Sequence, residues 1–348
     1  MTFNAAAFLK SFLKFGFGLI AALCLTIWLI DPYGASPFRL PVARPIMDIN
    51  QRYMYPQVVR SGSFDSVVIG TSTSRLLDPE GLNKAFGGRF ANLAMNAATA
   101  WEQTELAKLY LRHTPTPKTF ILGLDQMWCA DDKTLVKITF RGFPAWMYDK
   151  NPWNDLAELV SLKTLEITAR LIGFHLGLMP ERIRSDGYEI FTPPEASYNL
   201  ARARFHIWGD HASAQLSPVV PAAVLSDADA NRIVWPAISW LDDILTAIPK
   251  TTTRIVAFMP LHIAAQPVPG SLSNARYNAC KQRIRAVASK HGVSVIDFSI
   301  PSSITQEDSN YWDPLHYRLP IAERIVAALK NATTTGRDAD DGVYKILR

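Results

Sequence analysis

The chain has only three cysteines in 348 residues, Cys24, Cys129 and Cys280. None stands in a Cys-x-x-Cys pair, which argues against a zinc site. Cys24 lies in an apolar N-terminal run. Cys129 and Cys280 read as two buried free thiols, although an oxidising compartment would allow them to pair. Charge is scarce too. Charged residues make up 19% of the chain, below a typical soluble protein. The net charge of +5 is spread along the sequence, and no basic run carries interleaved aromatics. Nucleic acid is therefore not an expected partner. There is no internal repeat and no low-complexity tract, which argues against solenoids and long disordered linkers. No metal and no cofactor is expected.

Apolar residues are plentiful, at 48%, enough for the core of one large domain or two small ones. The clearest physical signal is at the N-terminus. No residue from Phe15 to Ile30 is charged, and Phe8–Leu13 adds apolar residues around Lys10. A helix over Phe8–Ile30 would cross a bilayer, which needs roughly 20 residues. Lys10 and Lys14 precede the uncharged stretch and Asp31 follows it. The positive-inside tendency then keeps the short N-terminus cytoplasmic and sends the bulk across. A cleaved signal peptide is the rival reading. The long apolar core and the lack of an Ala-x-Ala site before Asp31-Pro-Tyr-Gly disfavour it.

Residues 32–63 read as a connector. Pro32, Pro37, Pro41, Pro45 and Pro56 exclude long helices there. From residue 64 to 332, strand and helix patterns alternate. Strands are expected at Ser66–Ile69, Phe90–Met95, Thr119–Leu124, Arg254–Met259 and Ser294–Phe298, with a short helix or turn at Leu76–Phe86 and helices at Trp101–His113, Tyr277–His291 and Leu319–Asn331. Such alternation implies a parallel sheet with right-handed crossovers, hence a three-layer α/β sandwich. The alternation fails between residues 130 and 249. That stretch, aromatic-rich at Phe140, Phe143, Trp146 and Tyr148, reads as a large insertion capping the active site. Residues 333–348 read as a mobile polar tail.

The chemistry starts at Phe64–Asp78. Val67, Val68 and Ile69 form a continuous β-branched run, as in a strand buried on both faces. Gly70 breaks it, and the hydroxylated cluster Thr71-Ser-Thr-Ser74 follows. Open α/β sheets place their chemistry at such carboxyl ends of strands. Ser72 is the candidate nucleophile, with Thr71 and Ser74 as local rivals. A serine hydroxyl needs a base. Far downstream stands Asp313-Pro-Leu-His316. Histidine titrates near neutrality, and an aspartate three residues before it can orient its ring, as in a catalytic triad.

At these two motifs, Gly70-Thr71-Ser72 and Asp313-Pro-Leu-His316, the chain resembles the SGNH (GDSL-type) hydrolases, over roughly residues 61–332. That resemblance implies a flavodoxin-like sandwich and a Ser72–His316–Asp313 triad. The nearest layout is that of membrane-anchored members linked to acetylation of bacterial exopolysaccharides. It implies a bacterial inner-membrane protein with one span and a periplasmic catalytic domain. Its implied partners are an acylated polysaccharide or other envelope ester and a membrane acyl-donor protein. The resembled family builds an oxyanion hole from the Ser backbone N–H, a Gly backbone N–H and an Asn side chain. Here Ala97 stands for the Gly and Asp125 for the Asn. An ionised Asp125 would repel an oxyanion, and losing one donor costs on the order of 3 kcal/mol. So Asp125 is protonated, or has another role, or Asn96 or Gln126 supplies the amide. His262 is a candidate for touching substrate or supporting the site. Arg75 either binds an anionic sugar or pairs with Asp78. The α/β-hydrolase elbow needs Gly-x-Ser-x-Gly, and Ser74 occupies its last place.

Two function classes follow. One is an envelope-facing serine esterase or O-acyltransferase. The other is a catalytically weak or inactive carbohydrate-binding or assembly subunit on the same fold, for which Asp125 and Ala97 speak.

Overall fold

Short runs rich in valine, isoleucine and phenylalanine become the strands of one sheet. In this computed structural model, which describes residues 5–131, 141–210 and 216–348, they are β1 (Ser66–Ile69), β2 (Phe90–Asn92), β3 (Thr119–Leu124), β4 (Thr253–Phe258), β5 (Val295–Asp297) and β6 (Lys345–Leu347). The helices described are α1 (Ala5–Ile30), α2 (Gln51–Arg60), α3 (Pro79–Phe86), α4 (Ala100–His113), α5 (Pro152–Glu158), α6 (Leu162–His175), α7 (Leu200–Trp208), α8 (Asp227–Arg232), α9 (Pro236–Ala247), α10 (Leu272–Lys290) and α11 (Leu319–Thr335). The chain divides into two units. One joins Met1–Ser61 to Pro144–Ser185, the other Gly62–Phe143 to Asp186–Arg348.

The sheet belongs to the second unit, in the order β2-β1-β3-β4-β5-β6. The first five strands are parallel, and β6 is antiparallel to β5. Strand side chains alternate between two faces. Val68, Ile121, Ile255 and Ile296 face Leu82 of α3 and Ile321, Ile325 and Leu329 of α11. Phe120 and Phe258 face the other way, against Tyr110 of α4 and Tyr277 of α10. Helices thus cover both faces, which is why β1 and β3 are buried at every residue. The chain leaves β1 for β2 on one side and passes back to β3 on the other. That reversal makes a crevice at the carboxyl ends of β1 and β3, where such sheets bind ligands.

The terminal segment is a correction to the sequence reading. It is not a loose tail. Helix α11 runs on to Thr335, Val343 and Tyr344 are buried, and β6 closes the sheet edge. Its apolar residues are only five in a polar stretch, but they all lie on this docking segment. The stretch 130–249 also divides: residues 144–185 belong to the first unit and 186–249 to the second. Phe140, one of its expected aromatics, lies outside the described residues.

The first unit is helical. Helix α1 is long and apolar enough to cross a membrane. It ends at Asp31, whose carboxylate accepts the Tyr33 and Ser36 backbone N–H groups at 3.2 and 2.6 Å. The connector is more ordered than its prolines suggest, because α2 runs through Pro56. A proline leaves the carbonyl four residues earlier without its helical donor. Here that carbonyl, Arg52 O, accepts the Tyr148 hydroxyl at 2.7 Å. Asn50, Asn151 and Ser161 cap α2, α5 and α6.

Candidate active site

Ser72 opens a single 3-10 turn, Ser72–Ser74, directly after β1. Close approach of backbone and side chain fixes that turn. A Cβ at Gly70 would lie 2.5 Å from Ser74 Oγ, and one at Gly123 would lie 2.1 Å from it. Both glycines make room for the buried Ser74 side chain. The two rival hydroxyls are thereby committed. Ser74 is fully buried between them. Thr71 Oγ1 donates to Asp125 Oδ2 at 2.5 Å. Ser72 alone of the three is half-exposed.

The turn meets the loop before α11. His316 Nε2 lies 3.0 Å from Ser72 Oγ, and His316 Nδ1 lies 2.8 Å from Asp313 Oδ2. The other carboxylate oxygen, Asp313 Oδ1, accepts the backbone N–H groups of Leu315 and His316 at 2.8 and 3.0 Å. This explains the three-residue spacing: one turn of chain lets a single aspartate hold both its own loop and the imidazole. Burial pushes the Asp313 carboxyl up. The hydrogen bond and charge of His316, with the two backbone donors, outweigh burial and hold it below the usual carboxylate range. It stays ionised beside the ring and favours the Nδ1–H tautomer, which leaves Nε2 free to take a proton from Ser72.

Other groups lock the two motifs together. The Tyr317 hydroxyl donates to the Thr73 carbonyl, so the residues following the base and the nucleophile are tied directly. Asn92, at the end of β2, donates from Nδ2 to the carbonyls of Ser74, Arg75 and Leu77. Phe191 packs edge-on against the His316 ring, with centroids 5.2 Å apart, and carries the Arg75 guanidinium 4.8 Å from its own centroid. Sequence reasoning missed Tyr317, Asn92 and Phe191. Only the adjacency of Tyr317 to His316 offered a signal.

The remaining candidates fall as follows. Asp125 has another role: besides Thr71, it accepts the Met127 backbone N–H at 2.9 Å and caps the turn Gln126–Cys129. Burial raises its pKa against both hydrogen bonds. It braces the residue before Ser72 across the crevice between β1 and β3. Gln126 is occupied by the Ala265 carbonyl at 2.7 Å. Asn96 Oδ1 accepts from Arg75 Nη1 at 2.8 Å. Arg75 does not pair with Asp78, which caps α3 instead. It is buried and paired with Glu189, because the turn after Ser72 points it inward. Ala97 is exposed and has a left-handed backbone, φ 49°, a conformation that favours glycine. The Ser72 backbone N–H makes no hydrogen bond among the described residues.

His262 is fully buried, which favours the supporting role over contact with a bound molecule. Its ring lies edge-on between Trp208 and Tyr311, and burial lowers its pKa against the pull of Asp308. Its backbone N–H supports the base loop through the Pro314 carbonyl at 2.9 Å. Cys129 and Cys280 are also a correction. They form a disulfide between the turn after β3 and α10, with Cα atoms 5.7 Å apart. Their separation of 151 residues hid a proximity that the sheet order creates. Among the described residues, no three His, Cys, Asp or Glu side chains group as metal ligands.

Comparison with models of known protein families finds no match to this chain. Comparison with curated proteins finds none either.

Proposed function

We propose that the chain is a serine esterase or O-acyltransferase, anchored by α1 in a bacterial inner membrane and acting on acyl groups of envelope polysaccharide. The observation that carries this reading is the hydrogen-bonded chain from Ser72 through His316 to Asp313. Ser72 Oγ attacks the ester carbonyl while its proton passes to His316 Nε2. Asp313 stabilises the imidazolium. The tetrahedral oxyanion faces the Ser72 backbone N–H, and the SGNH resemblance assigns a second donor to the position of Ala97. Collapse expels the alcohol, which takes the proton back from His316, and leaves acyl-Ser72. Water or a sugar hydroxyl then attacks the acyl group by the reverse proton path. The SGNH resemblance supplies the substrate class. A periplasmic location is supported by Lys10 and Lys14 before the span and by the disulfide, which persists in oxidising compartments.

The second reading, a non-catalytic binding or assembly subunit, is favoured by a carboxylate at Asp125 where the resembled family has an amide. A fluorophosphonate probe separates the two. The full-length protein in detergent should be labelled, Ser74→Ala should retain labelling and Ser72→Ala should lose it. Acetyl release from a panel of envelope polysaccharides should fall by on the order of 10⁶-fold in Ser72→Ala. A folded wild type that resists the probe would leave the binding reading.

A further inference from the structure

Helix α1 is not free along its whole length. Residues 5–23 are exposed almost throughout, whereas Ile27 is buried and Cys24, Trp28, Leu29 and Ile30 are half-buried in the first unit. The uncharged stretch from Phe15 to Ile30 spans about 24 Å at 1.5 Å per residue. A hydrocarbon core is about 30 Å thick. With Lys10 and Lys14 reaching the inner headgroups, the outer edge of the hydrocarbon falls at or beyond Ile30. That is the level of the protein surface around the end of the helix.

This surface is apolar. Phe38 and Leu40 are 54% and 44% exposed, and Leu176 and Leu178 are 67% and 74% exposed. Hydrogen bonds put them beside the helix end. Leu40 N donates to Leu29 O at 2.7 Å, and Arg44 Nη2 bridges Ile30 O and Leu40 O. His175, at the end of α6, meets the Ala43 carbonyl at 3.0 Å, and α6 packs on α1. Trp153, exposed on α5, stands one turn before Leu156, whose carbonyl accepts Trp28 Nε1 at 2.9 Å.

We propose that these residues form a collar lying in the outer acyl and headgroup boundary of the bilayer, so that the first unit is a lipid-embedded foot. The proposal rests on α1 spanning the membrane, as above. Continuity with that helix identifies lipid as the occupant: the collar is hydrogen-bonded to the last turn of the span. The chemistry fits as well. Arg39, exposed between Phe38 and Leu40, donates one N–H to the Ser36 carbonyl at 3.0 Å, and a guanidinium keeps further donors that phosphate can take. Tryptophan at this level is typical of membrane interfaces.

The test uses full-length protein in vesicles of phosphatidylethanolamine and phosphatidylglycerol, on a Cys24→Ser background. Single nitroxide labels are placed through Leu19→Cys, Leu40→Cys, Leu178→Cys and Val224→Cys. Collision with oxygen is compared with collision with a water-soluble nickel chelate. Oxygen should dominate at 19, 40 and 178, and the chelate at 224. Chelate access at 40 and 178, with 19 protected, would overturn the collar and leave the span standing. Chelate access at 19 would remove the span and the collar together. Labels at 40 and 178 shielded from both reagents would assign the surface to a protein partner and overturn the lipid assignment.

Discussion

Outside α1, twelve large apolar side chains are exposed in the first unit, against eight among the described residues of the much longer second unit. Both interiors bury charge. In the second unit the buried cations have partners: Lys281 with Asp297 at 2.8 Å, and Arg75 with Glu189. In the first, Asp48 pairs with Lys163 at 2.6 Å and Asp31 accepts two backbone N–H groups, while Asp155 is buried nearly unpaired. One carboxylate oxygen of Asp155 is buried without a partner. A unit surrounded by water gains by hiding apolar surface. A unit that leaves this many apolar side chains outside fits the lipid-embedded foot proposed above. The Ser72–His316–Asp313 geometry belongs wholly to the sheet unit, where the turn after β1 and the loop before α11 hold it.

The largest effect that would sharpen this contrast is loss of the disulfide. Cys129→Ser with Cys280→Ser, or reduction, should destabilise the second unit by about 2–4 kcal/mol. Calorimetry of the full chain in detergent should show one transition lowered and the transition of the first unit unmoved. A shift of both together would mean that the units unfold as one, and would break the comparison.

Asp155 tests the first unit. Burial pushes its carboxyl up to about 6, against the pull of Arg60. A raised carboxyl contributes stability below its unfolded pKa, near 4, and loses it as pH rises through about 6. Asp155→Asn removes this loss. It should stabilise the first unit at pH 7.5 by up to about 3 kcal/mol, with the advantage gone near pH 4. The transition of the second unit should not respond. A gain that is equal at both pH values would show that burial does not raise the Asp155 carboxyl.

The smallest effect concerns Ala97. A left-handed alanine costs roughly 1–2 kcal/mol, part of which glycine returns as chain entropy. Ala97→Gly should therefore raise the stability of the second unit by up to about 1 kcal/mol, read from its denaturant midpoint. A loss of stability instead would mean that the alanine methyl makes contacts worth more than the strain.

Much of the sheet was legible because strand patterns are local. Thr119–Leu124 was bounded correctly from its apolar run alone. Ser72 stood out because it sits where such a pattern breaks, and Asp313 and His316 because their three-residue spacing resembles a known motif. Asn92 and Tyr317 did not, since their work is to reach carbonyls near residue 74 from strand and loop positions far along the chain. The terminal segment was misread because one short strand completing a sheet edge leaves too few apolar residues to show a period. Arg75 was misassigned because Asp78 was its neighbour in sequence, while Glu189 became its neighbour only through folding.

Composition and periodicity by themselves determined an apolar helix at the N-terminus, an α/β alternation and the carboxyl ends of strands as the place for chemistry. These follow from hydrophobic burial, which acts residue by residue along the chain. The tertiary structure alone decided which hydroxyl meets the imidazole, that Asp125 braces a turn, that Cys129 reaches Cys280 and that Arg75 faces inward. Hydrogen bonds, ion pairs and disulfides act only over a few ångströms. Residues tens or hundreds of positions apart come that close only after the strand order has set them side by side.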